Sequence, residues 1–286
     1  MNLINILSRY GIKVYINSRI CWQIYNKDHK RCDFSRGSHT AYGLFYIYVK
    51  LLIMLLKLKK ELKLKANKKK AQILQGFFKT GPGEYGEGDI FLGVSVPEVR
   101  RTAKKFKDLS FKDLRTLLRS SIHEERLLAL LILVHNFSNA DGKKQTKIFD
   151  FYLKNKLYIN NWDLVDLSAP RVVGGYLLNK NKKILYKLAN SKNIWQRRIA
   201  IISTFEFIKN NNFKDTLKIS RVLLKDEHDL IHKAVGWMLR EVGKRDLEEE
   251  EDFLRKFYLN MPRTMLRYAI ERFPEKKRQD YLKGRV

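Results

Sequence analysis

From Met54 to the C-terminus, apolar residues recur at steps of three and four with little sustained alternation, and the pattern itself repeats. Four stretches, SIHEERLLALLILV, NIWQRRIAIISTF, LIHKAVGWMLREV and PRTMLRYAIERF, each join an early basic residue to an alanine and an apolar run. With NNWDLVDLSAP added, alignment on Ala129, Ala169, Ala200, Ala234 and Ala269 gives intervals of 40, 31, 34 and 35 residues. A helical unit of this length cannot bury its apolar face alone, so successive units must stack. Small residues at the repeated position let neighbouring helices approach closely.

The spacing predicts an all-α chain, a HEAT-like helical repeat solenoid with a concave basic face. Pro97 and Pro262 open helices, as do Ser110 with Asp113, while Asp141-Gly142 and the Asn-rich NKNKK and KNNNF stretches punctuate them. Basic residues near the start of successive inner helices, Arg126, Arg198, Lys233 and Arg267, are expected to line the concave surface. The EEEED run at 248–252 reads as a solvated helix start.

Charge narrows the partners. Lys and Arg outnumber Asp and Glu 58 to 30, a formal +28, which points first to nucleic acid and second to an anionic membrane surface. Residues 1–53 hold eight of the bases and two of the acids, so 54–286 keeps 50 against 28, or +22. The two cysteines, Cys21 and Cys32, both precede Met54, which excludes a disulfide framework, a thiolate zinc site or a cysteine-held iron–sulfur cluster in the body. His228 and His232 lack a third ligand, so no metal site is expected.

Residues 1–53 follow no clean helical or strand period, and the apolar AYGLFYIYVKLLIMLL is interrupted by Lys50 and too short to span a membrane. A targeting peptide, a small extra domain and an over-extended start are the alternatives. The last is favoured, with Met54 as the natural start, because the helical pattern begins there.

GPGEYGEGD, at 81–89, contains a G-x-G-x-x-G but follows a helix, and its three acids would repel a pyrophosphate. It reads as an interhelical turn that presents Tyr85. Three helices pair an indole with a charge on one face: Trp162 with Asp166, Trp195 with Arg198, and Trp237 with Arg240. Tryptophans in helical repeats often fill the core, yet a core face does not usually carry Asp and Arg. Asp163 lies in the first turn of its helix and complements the dipole. Asp166 lies beyond that turn and needs another reason.

NNWDLVDLSAP, WQRRIAIISTF, AVGWMLREVGKRD and MPRTMLRYAIERF resemble the AlkD-type DNA alkylation repair proteins, and FFKTGPGEYGEGDIFLGV resembles the N-terminal loop segment of many members. The resemblance covers about residues 54 to 283. It implies a monofunctional DNA glycosylase of base excision repair, a hydrolase without cofactor or metal that releases cationic N-alkylated purines such as 3-methyladenine and 7-methylguanine from duplex DNA. By motif, Trp162 and Asp166 match the family's catalytic pair, Trp237 its second groove tryptophan and Arg198 a phosphate-contacting arginine. Arg240 matches the basic position after that tryptophan, and Tyr85 is the loop aromatic. Lys233 and Arg267 are added as DNA contacts by their place in the repeat. The implied partner is double-stranded DNA carrying alkylated bases; no membrane role is expected, and the chain is read as a monomer with a cytoplasmic, nucleoid-associated location of bacterial type.

Two other readings compete: a non-catalytic HEAT-like binder of branched or distorted DNA, and a protein-binding scaffold. The catalytic reading rests on an acid set among cations. A carboxyl of Asp166 turned away from the basic hollow and held in a buried salt link would remove it. For the N-terminus, mass spectrometry of the native protein is expected to find Met54 first, and an intact Met1 would overturn that expectation.

Overall fold

A computed structural model describes residues 54–286 and, in residues 1–53, only the backbone of three short strands. The chain divides into two compact units, Met1–Ile53 and Met54–Val286. In the first, β1 (Lys13–Asn17), β2 (Cys21–Tyr25) and β3 (Arg31–Cys32) form an antiparallel sheet in sequence order, with Tyr15 opposite Gln23 and Ile24 opposite Cys32. The sequence showed no strand period here because segments this short hardly stand out from their flanks. The rest of residues 1–53, including most of the apolar stretch around Lys50, lies outside the described residues.

The second unit is helical throughout, apart from one isolated bridge between Ile90 and Ile122. Its first part comprises α1 (54–64), α2 (Lys68–Phe77), α3 (Val96–Lys105), α4 (Phe111–Leu118), α5 (His123–Ser138) and α6 (Gly142–Lys154). Then follow α7 (Trp162–Ala169), α8 (Lys183–Ala189), α9 (Ile194–Ser203), α10 (Phe205–Lys209) and α11 (Lys214–Val222). The chain ends with α12 (Asp229–Gly243), α13 (Leu247–Phe257), α14 (Arg263–Ala269) and α15 (Glu275–Leu282).

Local chemistry sets several boundaries. Asn67, Ser110 and Asp141 each accept a bond from the backbone N–H three residues on, which opens α2, α4 and α6. After α7 the helix widens into a π turn over Pro170–Gly174, since Pro170 has no N–H for the regular ladder.

The repeated alanines now acquire a physical meaning. Helices α5, α7, α9, α12 and α14 form a continuous row in which each packs on the next. Each carries one of Ala129, Ala169, Ala200, Ala234 and Ala269, all buried. A second row packs behind it: α3 and α4 on α5, α8 on α9, and α13 on α12. One close approach is between α12 and α14, where a β-carbon on Gly236 would stand 2.4 Å from the Met265 carbonyl oxygen. Among the described residues no helix is long and apolar enough to cross a membrane.

One expectation fails at α13. The EEEED run is not solvated throughout, because Glu250 is buried against α12. Its carboxylate occupies the space left by Gly243, where any β-carbon would collide with it. Oε1 of Glu250 has no hydrogen-bond partner, and burial pushes its pKa up to about 8, with the neighbouring Glu251 adding to the rise. Since the folded pKa lies above the unfolded one, folding must keep a proton that the unfolded chain releases, a cost that grows between about pH 4.5 and 8. Glu250→Gln is therefore expected to stabilise the protein by roughly 1–3 kcal/mol at pH 7 and by almost nothing at pH 4, read as the pH dependence of urea midpoints.

Candidate functional site

Site geometry begins at the cap of α7. Asn161 is buried, and its Oδ1 accepts from the Trp162 N–H at 2.8 Å. The Trp162 indole lies flat on Phe78, with ring centres 4.9 Å apart and planes 4° from parallel. Phe77 meets the same indole edge-on at 5.8 Å. These two phenylalanines close α2, so the loop resembling a phosphate motif leaves directly from a helix, and its work is to carry Tyr85 back towards α7 and α9.

Trp162 faces a cavity of about 490 Å³. One part of its wall is aromatic: Phe77, Tyr85, Trp162, Trp237 and Tyr268. The other part is cationic, with Lys79, Arg198, Lys233 and Arg240, and Leu230 completes the lining. Six residues singled out from the sequence thus meet in one place: Trp162, Trp237, Tyr85, Arg198, Lys233 and Arg240. They come from α7, α9, α12 and the loop after α2, and only the stacking of the inner row brings them together.

Asp166 departs from the expected picture of an acid standing alone. Its Oδ1 and Oδ2 accept from Arg198 Nε and Nη2 at 2.8 and 2.7 Å, a bidentate pair between α7 and α9. The third donor group of Arg198, Nη1, donates to the Leu230 carbonyl. With Nε, Nη1 and Nη2 each engaged and only 6% of its side chain exposed, Arg198 is committed to Asp166 and Leu230 rather than standing free at the cavity wall. It is the counter-ion that offsets the cost of burying this carboxylate. Burial pushes the Asp166 pKa above the usual carboxylate range, and the guanidinium pulls against that rise.

The salt-link half of the condition against catalysis is therefore met. On the other half, Arg198 lines the cavity and Asp166 does not, while the Asp166 side chain keeps 15% of its surface exposed. The acid sits one layer behind the wall, beside the guanidinium that forms it.

Other cations divide by burial. Lys233 pairs with Asp229 at 2.6 Å and Arg240 with Glu271, and in both cases the carboxylate is about half exposed. Such pairs cost little to exchange for a phosphate, whereas the Asp166–Arg198 pair does not open cheaply. Arg126 does not line the cavity either; it is buried, with Nη2 2.5 Å from Asp89 Oδ2. Arg267 is exposed but outside the lining, and its neighbour Tyr268 takes that place. One residue along a helix turns the side chain by about 100°, so a register read from basic residues alone pointed to the wrong neighbour. Trp195 is buried and meets Tyr85 edge-on at 6.0 Å, so it supports the loop from the core.

Sequence reasoning missed Phe77, Lys79 and Tyr268. Phe77 is 62% exposed, and its signal was an aromatic doublet at a helix end followed by Lys79.

The family described as "DNA alkylation repair enzyme" matches residues 58–273. The chain belongs to that family. Among solved structures, a predicted DNA alkylation repair enzyme from Enterococcus faecalis is 17% identical, with a TM-score of 0.59 over 74% of this chain and 98% of that one. At that identity the likeness establishes the shared helical repeat fold. AlkD2 from Streptococcus mutans also matches, at 16% identity and a TM-score of 0.48 over 79% of this chain and 99% of that one. No curated protein matches.

Membership of a DNA alkylation repair family and a cavity walled by indoles and cations are consistent with each other, and the buried pair beneath them is a structural element as well as a chemical one. Arg198→Ala strands a buried carboxylate and is expected to destabilise the fold by about 3–5 kcal/mol. Thermal unfolding checks this: an unchanged midpoint would mean that the pair is not formed in solution.

Proposed function

We propose that the protein is a monofunctional DNA glycosylase that hydrolyses the N-glycosidic bond of cationic N-alkylated purines in duplex DNA. The observation that carries this reading is a carboxylate paired bidentately with Arg198 one helical turn from Trp162, behind a wall of further aromatics. An alkylated purine with a fixed positive charge is already a good leaving group. As the C1′–N bond breaks, its electron pair neutralises the base and leaves an oxocarbenium ion on the sugar. A carboxylate in a partly dehydrated site favours that cation more than it could in bulk water. Water then adds to C1′, and in this reading Asp166 orients it and takes its proton. Indole faces of Trp162 and Trp237 attract both the charged base and the developing sugar cation.

Lys233 and Arg240 are the groups suited to phosphates, because exposed Asp229 and Glu271 can be displaced by them. The partner is thus double-stranded DNA carrying alkylated bases, held with a strong dependence on salt.

Duplex binding without excision is a second reading, and one observation favours it. Arg198 rather than Asp166 forms part of the wall, so the pair could act only as a brace.

Incubation with methylated duplex DNA separates the two. Free 3-methyladenine and 7-methylguanine support the glycosylase; retention of DNA with no free base supports the binder. Asp166→Asn is expected to leave duplex binding within a few-fold while cutting excision by about 100-fold or more. Because the active form is the anion and burial raises its pKa, excision should fall on the acid side at a higher pH than an ordinary aspartate would give. A pH–rate profile with its acid limb at the ordinary aspartate value would count against Asp166 as the titrating group.

A further inference from the structure

A second set of buried charges lies between the loop and α7, outside the cavity lining. His123 opens α5 with its ring buried; Nδ1 stands 3.0 Å from Asp89 Oδ2 and Nε2 2.8 Å from Asp163 Oδ2. Asp89 ends the loop that carries Tyr85, and Asp163 adjoins Trp162. Phe91 stacks on the imidazole at 4.4 Å, and Phe78, the ring beneath Trp162, touches it at 5.1 Å. Asn161, the cap of α7, reaches the same Asp89 oxygen at 3.3 Å. Four elements thus converge on one histidine.

An ionised carboxylate only accepts hydrogen bonds, so an imidazole bonded to one at each nitrogen must donate from both. That form is the imidazolium. It also balances the cluster, with Asp89 and Asp163 opposed by His123 and Arg126. The other charges nearby point elsewhere: Glu124 turns its carboxylate to the amides of Leu92, Gly93 and Val94, and Asp166 is held by Arg198. Arg126 Nη2, which also pairs with Asp89, stands 3.4 Å from Nδ1, so Asp89 keeps Arg126 and Asn161 whatever the ring's charge; a neutral ring would still turn a lone pair towards one of the two acids and lose that bond.

We propose that His123, as an imidazolium bridging Asp89 and Asp163, is a positioning residue that locks the Tyr85 loop onto the helix bearing Trp162 and Asp166. While the ring is charged, the aromatic wall is held at its spacing; when it loses its proton, one of the two links fails and the loop is released. Burial presses the ring towards neutrality, but the bonds to Asp163 and Asp89 outweigh it, so the pKa lies above the ordinary histidine value. The lock's contribution to stability is full below the unfolded histidine's pKa and is lost as pH rises through the higher folded value.

Its effect on catalysis rests on the glycosylase reading, but the lock itself does not, and the test keeps them apart. In the full chain, labelled for nitrogen NMR of the imidazole, the ring should be doubly protonated at neutral pH. As pH rises through its midpoint, amide exchange in residues 81–90 should accelerate beyond the intrinsic pH effect. A ring carrying one proton at neutral pH, or a loop whose protection ignores the titration, would overturn the proposal whether or not the protein excises bases. With methylated duplex as substrate, His123→Gln should lower kcat by about tenfold and abolish the alkaline limb of the wild-type profile. An alkaline limb identical in both proteins would also overturn it.

Discussion

A single guanidinium joins three successive helices of the inner row. Arg198 leaves α9, grips both oxygens of Asp166 on α7, and donates its remaining terminal nitrogen to the carbonyl of Leu230 at the start of α12. Those three helices also carry Trp162, Lys233, Trp237 and Arg240, so the separation of these side chains is fixed by the same bonds. Apolar burial drives the helices together, but it is non-directional. A bidentate pair has a direction, and it selects which face of each helix turns towards the cavity.

Around that brace, charge is arranged by depth. Pairs at the cavity rim, Lys233 with Asp229 and Arg240 with Glu271, are open to water on their acidic side and can exchange partners. Deeper pairs cannot. Asp166 with Arg198, and Asp89 with His123 and Arg126, hold charged groups where an unpaired one would cost several kcal/mol. This division explains how a chain of strongly positive charge can place carboxylates next to its binding surface. The acids nearest the cavity are neutralised by dedicated partners, and the surplus of lysine and arginine remains for a polyanion.

Much of this was legible in the residues themselves. The interval between alanines marked the five helices of the inner row, because a small side chain is required wherever two helices cross closely. The i, i+3 and i, i+4 spacing of Trp162 with Asp166 and Trp237 with Arg240 placed them on shared faces, since that follows from helix geometry alone. What spacing within a helix could not supply was the partner across helices. Arg198 looked free for phosphate because Asp166 lies 32 residues away. Arg126 looked like a groove residue because its partner Asp89 sits in a loop whose path no period describes. Glu250, one of five consecutive acids, turned out buried because the helix it meets has a glycine at the point of contact.

The sequence by itself determined the helical repeat, the excess of positive charge and the indoles with their neighbouring charges, since each depends on residue type and on separations of a few positions. Tertiary structure alone decided which opposite charges meet, which cations remain available at the rim, and that Tyr268 and Phe77 rather than Arg267 and Trp195 complete the cavity wall. Ion pairing depends on distances of a few ångströms between helices tens of residues apart, and a turn of about 100° per residue changes which side chain arrives there.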